Sequence, residues 1–196
     1  MASPGSGARV PREFYARDTA LVARALLGKL VVVPGAGKRR RGRIVETEAY
    51  DGPKDQASHA FRGPTARNAP MFGEPGHAYV YLIYGMWNCL NLVTREAGHP
   101  SAVLLRALDF DGLDEAGGGD PRAGAGPGKL CATLGIDRRL TGEDVVAGQA
   151  IWLEDDGCEV PARQIGRGPR VNVDYAGTWA RRPWRFWWKG NPAVSR

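Results

Sequence analysis

The stretch YVYLIYGMWNCLN, Tyr79 to Asn91, leaves this chain little choice but an antiparallel hairpin. Two strand-like runs, Tyr79 to Tyr84 and Trp87 to Thr94, flank Gly85 and Met86, where a tight turn fits. In such a hairpin Tyr79 and Tyr81 face one way, and Val80, Leu82 and Tyr84 the other. Core packing accounts for Tyr79 and Tyr81. It accounts poorly for Tyr84 at the tip, and a bulky tip residue can wedge between the base pairs of a duplex.

A second stretch, RIVETEAY from Arg43 to Tyr50, reads as another strand. Residues two apart share a face, so Ile44, Glu46, Glu48 and Tyr50 are expected together. Two reasons could place paired glutamates there. They could be solvated or matched to nearby arginines, or one could be a general base with Tyr50 as a ring platform.

The rest of the chain reads as one continuous α+β domain: a mixed, mostly antiparallel curved β-sheet with flanking helices and a protruding β-hairpin. Asp18 is placed to cap a helix over 19–27, and 30–33 reads as a strand turning through 34–37. Lys38, Arg39, Arg40 and Arg41 then form a basic turn, either simply solvated or contacting phosphates. Further extended segments are expected over 102–108, 145–151 and the alternating C-terminal run 164–196, with a short helix over 129–134. The glycine-rich loop 112–128 carries no readable motif. Residues 1–11 hold Gly, Pro and Ser without an apolar run and are expected to be a disordered tail, with the domain over 12–196.

The charge balance is 27 Lys and Arg against 21 Asp and Glu, a formal +6 that favours a polyanionic partner. Cys89, Cys131 and Cys158 are odd in number and form no CxxC pair. With His59, His77 and His99 they lack zinc-ligand spacing, so neither a disulfide scaffold nor a metal site is expected. No apolar run approaches a membrane span, and the chain reads as an intracellular protein.

ETEAY (Glu46 to Tyr50), His59, TARN (Thr65 to Asn68), YVYLIYGM (Tyr79 to Met86), Asn91, LLRAL (Leu104 to Leu108), GPGKLC (Gly126 to Cys131) and AGTWARRPWRFWWKGNPAVS (Ala176 to Ser195) occur here in order. In this the chain resembles the alkyladenine (3-methyladenine) DNA glycosylase family. The resemblance implies Glu48 as the general base that activates a water, with Arg106 holding both. It implies Tyr50, His59, Tyr81 and Asn91 as the base pocket, Asn91 excluding the 2-amino group of guanine. Tyr84 would enter the DNA stack with Met86 beside it, and a backbone carbonyl from Val171 to Val173 would complete the water site. Arg39, Arg40, Arg41, Arg67 and Lys129 are candidate contacts to the DNA backbone. The implied partner is double-stranded DNA containing damaged purines, bound by a monomer without cofactor, in the nucleoid if the source is bacterial. No nucleophilic lysine stands in these motifs, which implies a glycosylase without lyase activity.

Trp87, Asn88 and Ser58 depart from the family's usual residues and put substrate breadth in question. Glu46 rivals Glu48 on the predicted face, and only the resemblance separates them. Two other classes are compatible with the residues alone: a damaged-DNA binder that excises nothing, and a glycoside hydrolase using Glu46 and Glu48 as an inverting pair.

Overall fold

The computed structural model of the chain describes residues 7–35, 39–111, 113 and 119–195. Lys38 of the basic cluster, residues 112 and 114–118 of the glycine-rich loop, and residues 1–6 of the expected tail lie outside them.

The elements follow in the order β1 (Ala8–Arg9), α1 (Arg12–Tyr15), α2 (Thr19–Ala25), β2 (Leu30–Pro34), β3 (Arg39–Asp51), β4 (Ala78–Ile83), β5 (Trp87–Val93), β6 (Ser101–Asp109), α3 (Pro127–Leu134), β7 (Trp152–Asp155), β8 (Ile165–Gly168) and β9 (Arg185–Trp188). They form one curled α+β sheet in the order β1-β7-β2-β3-β6-β5-β4, with β9 joining β3 and carrying β8. All the described strand pairings are antiparallel, so the expected mixed character is absent from the described strands. Asp18 caps α2 as its sequence position suggests, its Oδ1 accepting from the amides of Ala20 and Leu21 at 3.0 and 3.1 Å. Val22, Ala23 and Leu26 then enter the core against the sheet.

The long strand β3 organises the molecule. One edge is shared, residues 39–43 pairing with β2 and residues 46–48 with β9, while β6 runs along the other. Near the middle, β3 and β6 each carry one extra residue. The register passes from Ile44↔Leu108 to Glu46↔Ala107, leaving Val45 over, and then to Thr47↔Leu105, leaving Arg106 over. Extra residues of this kind break the two-residue alternation and re-aim side chains.

That corrects the expected face of β3. Ile44 and Ala49 point into the helix-covered core, and the Thr47 hydroxyl donates to the Ala23 carbonyl at 2.7 Å on that same side. Val45 turns to the opposite side with Ala107 and Ala193. Glu46, Glu48 and Tyr50 therefore do not share a face with Ile44.

Other expectations change as well. Arg39, Arg40 and Arg41 are strand, not turn, because β2 pairs with them through Val32, Val33 and Pro34. The tail ends early: Ala8–Arg9 pair with β7, and Val10 is only 2% exposed. Residues 145–151 are turns, and the strand there is β7. Between β8 and β9 the chain is not extended but forms 3-10 turns over Asp174–Arg181.

Candidate active site

A cavity of about 390 Å³ opens between the hairpin, the turn after β3 and the segment 171–175. Tyr50, His59, Tyr81, Asn91 and Arg106 all line it, as do Tyr84, Lys129 and Val171, so most of the positions singled out in the sequence come together. Glu48 stands just behind this wall, fully buried.

The Glu48 carboxylate is gripped from three sides. Oε1 accepts from the Val171 amide at 2.7 Å, and Oε2 accepts from the Tyr50 hydroxyl at 2.8 Å. Arg106 Nη1 lies 3.5 Å from Oε1. Burial pushes the Glu48 carboxyl above the ordinary glutamate range, while Arg106, the Val171 amide and the Tyr50 hydroxyl pull it back and Glu46 adds to the rise. A buried carboxylate with a raised proton affinity beside an aromatic cavity is what base catalysis near neutral pH requires.

Glu46, the rival, is differently placed. Its Oε1 accepts from Arg185 Nε at 2.6 Å and from Arg106 Nε at 3.3 Å, and its Oε2 from the Ser195 amide at 2.7 Å. Two guanidiniums and an amide occupy it, and of these partners only Arg106 lines the cavity. Arg106 sits between both carboxylates, so no sugar fits between them as an inverting pair requires.

The cavity walls are aromatic. His59 meets Tyr81 edge-on at 4.5 Å between ring centroids, and its Nδ1 lies 3.1 Å from the Tyr79 hydroxyl. Burial and then the nearby Arg67 guanidinium lower its pKa, so the imidazole is neutral at pH 7. Burial raises the pKa of Tyr50 and Tyr81, keeping both phenols protonated. The Asn91 amide nitrogen donates to the carbonyls of Tyr79 and Cys89 at 3.0 and 3.2 Å, which fixes its orientation.

At the mouth, Tyr84 is 79% exposed and Met86 66%. The Met86 amide donates to the Ile83 carbonyl at 3.2 Å, closing a turn whose central residues Tyr84 and Gly85 have φ of 53° and 71°. A left-handed tyrosine costs roughly 1–2 kcal/mol. Strain at an exposed aromatic tip points to function rather than packing. Trp87, the departure noted above, lies on Gly128 at the start of α3, where a Cβ would sit 2.8 Å from its ring. That contact braces the hairpin.

The candidate phosphate contacts divide. Lys129 lines the cavity, and Arg67 stacks over Tyr81 at 5.3 Å and donates to the Leu82 carbonyl. Arg39, Arg40 and Arg41 are not brought there. They lie seven to nine residues up β3 from Glu48, on the order of 25 Å along the strand. Arg39 pairs with Glu154 at 3.3 Å and Arg41 donates to the Leu113 carbonyl.

Sequence reasoning missed several residues of the site. Asn68, noted only within TARN, donates to the carbonyls of His59 and Gly63 and holds the turn that presents His59. Cys89 lines the cavity, and burial pushes its thiol up to about 11. Arg170 and Asp55 form a buried ion pair behind Tyr50. None of these carries a local pattern; each acts through a partner distant in the chain.

A buried carboxylate behind an aromatic pocket, with a strained tyrosine at its mouth, makes a site able to receive a flat ring. Comparison with known proteins agrees: residues 13–192 match the methylpurine-DNA glycosylase (MPG) family, and the chain belongs to that family. Similar proteins include one from Anaeromyxobacter dehalogenans strain 2CP-1, 54% identical over 96% of this chain and 86% of its own length. Another is from Methanocella arvoryzae, 51% identical over 95% of this chain and 96% of its own. A third, from Bacillus cereus strain G9842, is 42% identical over 96% and 99%. All three bear the name "putative 3-methyladenine DNA glycosylase".

Proposed function

We propose that this chain is a monofunctional DNA glycosylase, acting as a monomer on duplex DNA. It draws 3-methyladenine, 7-methylguanine, hypoxanthine or ethenoadenine out of the helix and hydrolyses the N-glycosidic bond to begin base excision repair. The observation that carries this reading is the buried Glu48 carboxylate, whose three partners Tyr50, Arg106 and Val171 belong to the cavity or its wall.

A glycosidic bond inside a stacked duplex is out of reach, so the nucleotide must be flipped at a cost of a few kcal/mol. Tyr84, already projecting at the mouth, fills the gap in the stack, with Met86 beside it. The extruded base enters between Tyr50 on one side and His59 with Tyr81 on the other, and Asn91 limits the room at its edge. A cationic base such as 3-methyladenine gains roughly 0.5–2 kcal/mol from each tyrosine face. A neutral His59 adds no repulsion.

A water held near Arg106 and the Val171 backbone reaches both Glu48 and the anomeric carbon. Glu48 takes its proton as the glycosidic bond breaks, and its charge stabilises the oxocarbenium character of the sugar. Cationic bases leave readily, whereas neutral ones require protonation. Lys129, the one lysine on the described lining, is exposed at the rim rather than buried against the reacting carbon, which supports an intact abasic product. Lys129 and Arg67 are placed for phosphates. No helix among the described residues is long and apolar enough to cross a membrane.

The test is excision from labelled duplexes carrying one hypoxanthine or ethenoadenine, and from alkylated DNA, with strand cleavage scored before and after alkali. Cleavage only after alkali is expected. Tight damaged-DNA binding with no release from any substrate would make the chain a binder. Cleavage without alkali would reveal a lyase.

Tyr84→Ala separates flipping from chemistry. Its side chain is 79% exposed, so the fold should keep its stability within about 0.5 kcal/mol. Excision from duplex should fall by about tenfold or more, from the roughly 1–3 kcal/mol that base–aromatic stacking supplies. Any excision from single strands should change much less. Equal losses on both substrates would place Tyr84 in the pocket chemistry instead.

A further inference from the structure

Arg170 and Asp55 are both fully buried, and their bidentate pair spans 115 residues of chain. Isolated buried pairs contribute little net stability, because desolvation offsets the attraction. Their surroundings point to another use. Arg170 Nη1 donates to the Ala49 carbonyl at 2.9 Å, and the guanidinium lies over the rings of Tyr50 and Trp184, 4.7 and 5.2 Å from their centroids. The next residue is Val171, whose amide holds Glu48 Oε1. Tyr50, under the guanidinium, holds Oε2. Asp55 meanwhile accepts from the amides of Asp51 and Ala57, clamping the turn that runs from β3 to His59.

We propose that Arg170, fixed by Asp55, is a positioning residue for Glu48: it sets both neutral donors to the carboxylate, one as its chain neighbour and one by stacking. The assignment rests on Glu48 being the base. Arg170 does not line the cavity and is not among the charges that shift Glu48, so it acts on the carboxylate through geometry. The charged and titratable groups that face Glu48 are Glu46 and Tyr50 from its own strand, Arg106 from β6, Tyr81 from β4 and Tyr175 from the 3-10 turns after Val173.

Two variants test this beside wild type and Glu48→Gln. Arg170→Lys keeps the charge but loses the planar fork and the ring stacking. The double variant Arg170→Met with Asp55→Asn removes both buried charges together and keeps an oxygen acceptor for the clamped turn. Single-turnover excision of hypoxanthine at saturating enzyme should fall on the order of 10²-fold in both, as for a misplaced reactive group. The enzyme concentration giving half-maximal rate should stay within about threefold in Arg170→Lys, where Asp55 still clamps the turn to His59. The acidic limb of the rate–pH profile should move to higher pH as the donors to Glu48 loosen. A purely structural role would lower Tm in Arg170→Lys yet leave the limb and the folded enzyme's rate unchanged, and that result would overturn the assignment. Wild type inactive on every lesion would overturn the glycosylase reading, and this assignment with it. An active wild type beside unaffected Arg170 variants would overturn the assignment alone.

Discussion

Glu48→Gln should abolish excision while leaving the duplex bound. The substitution keeps the shape of a fully buried side chain and removes its capacity to take a proton, a loss of about 10²- to 10⁴-fold for a general base. Glu46→Gln should behave oppositely. Its carboxylate is occupied by Arg185, Arg106 and the Ser195 amide, so stability should suffer before chemistry does. Single-turnover rates for the two variants, measured beside their Tm values, decide between them. Retained excision in Glu48→Gln would move the base to Glu46.

The same substitution carries a pH signature. The folded-state pKa of Glu48 is raised, chiefly by burial. A raised carboxyl contributes stability below its unfolded pKa, and that contribution is lost as pH rises through the folded value. At neutral pH wild type therefore carries an ionised carboxylate at a cost, and Glu48→Gln should melt higher than wild type. The gap should close as pH falls below the ordinary glutamate range. Melting curves from pH 4 to 8 check this, and a variant that melts lower throughout would contradict it. Excision should likewise fade on the acid side at a pH above that range, because a protonated Glu48 cannot activate water.

Removing Arg106 should damage the fold as well as the chemistry. Its side chain is 10% exposed and stands 3.3 Å from one buried carboxylate and 3.5 Å from the other. Arg106→Ala leaves Glu46 to Arg185 and deprives Glu48 of its nearest positive charge. Breaking a buried pair in this way costs about 3–5 kcal/mol. For a domain of this size each kcal/mol is about 2–4 °C, so Tm should drop by roughly 6–20 °C. Lost acidity of Glu48 should suppress excision even where the protein remains folded. A drop below about 2 °C would mean that water replaces the guanidinium and that Arg106 serves chemistry alone.

Much of this was legible from local chemistry. The hairpin announced itself through two strand-like runs around Gly85, and the exposure of Tyr84 followed from its place at the tip. The Asp18 cap was equally local. What separates Glu48 from Glu46 was not, because it depends on Arg185 and Ser195, which lie 139 and 149 residues further along the chain. The Arg170–Asp55 pair was hidden for the same reason. The run Lys38 to Arg41 looked like a turn because four charges in a row argue against a strand, yet β2 supplies the pairing that overrides composition. Residues 145–151 look extended because two valines head a mostly apolar run, yet Val145 is anchored by a loop contact to the Gly76 carbonyl rather than by a neighbouring strand. The two-residue period also misplaced Ile44, since no pattern in the sequence marks Val45 as surplus.

The surplus residues of β3 and β6 have an evolutionary consequence. Strike out Val45 and Arg106, and the ladder reads 44↔108, 46↔107, 47↔105, 48↔104 without a gap. Each was therefore a possible one-residue insertion into an ordinary sheet, and neither insertion had to disturb the register on either side. A scaffold of this kind can acquire its arginine between two carboxylates without shifting the register on either side, whereas shedding it again strands a buried carboxylate. Ancestors of this chain could share its whole architecture while lacking the arginine that now joins the two carboxylates.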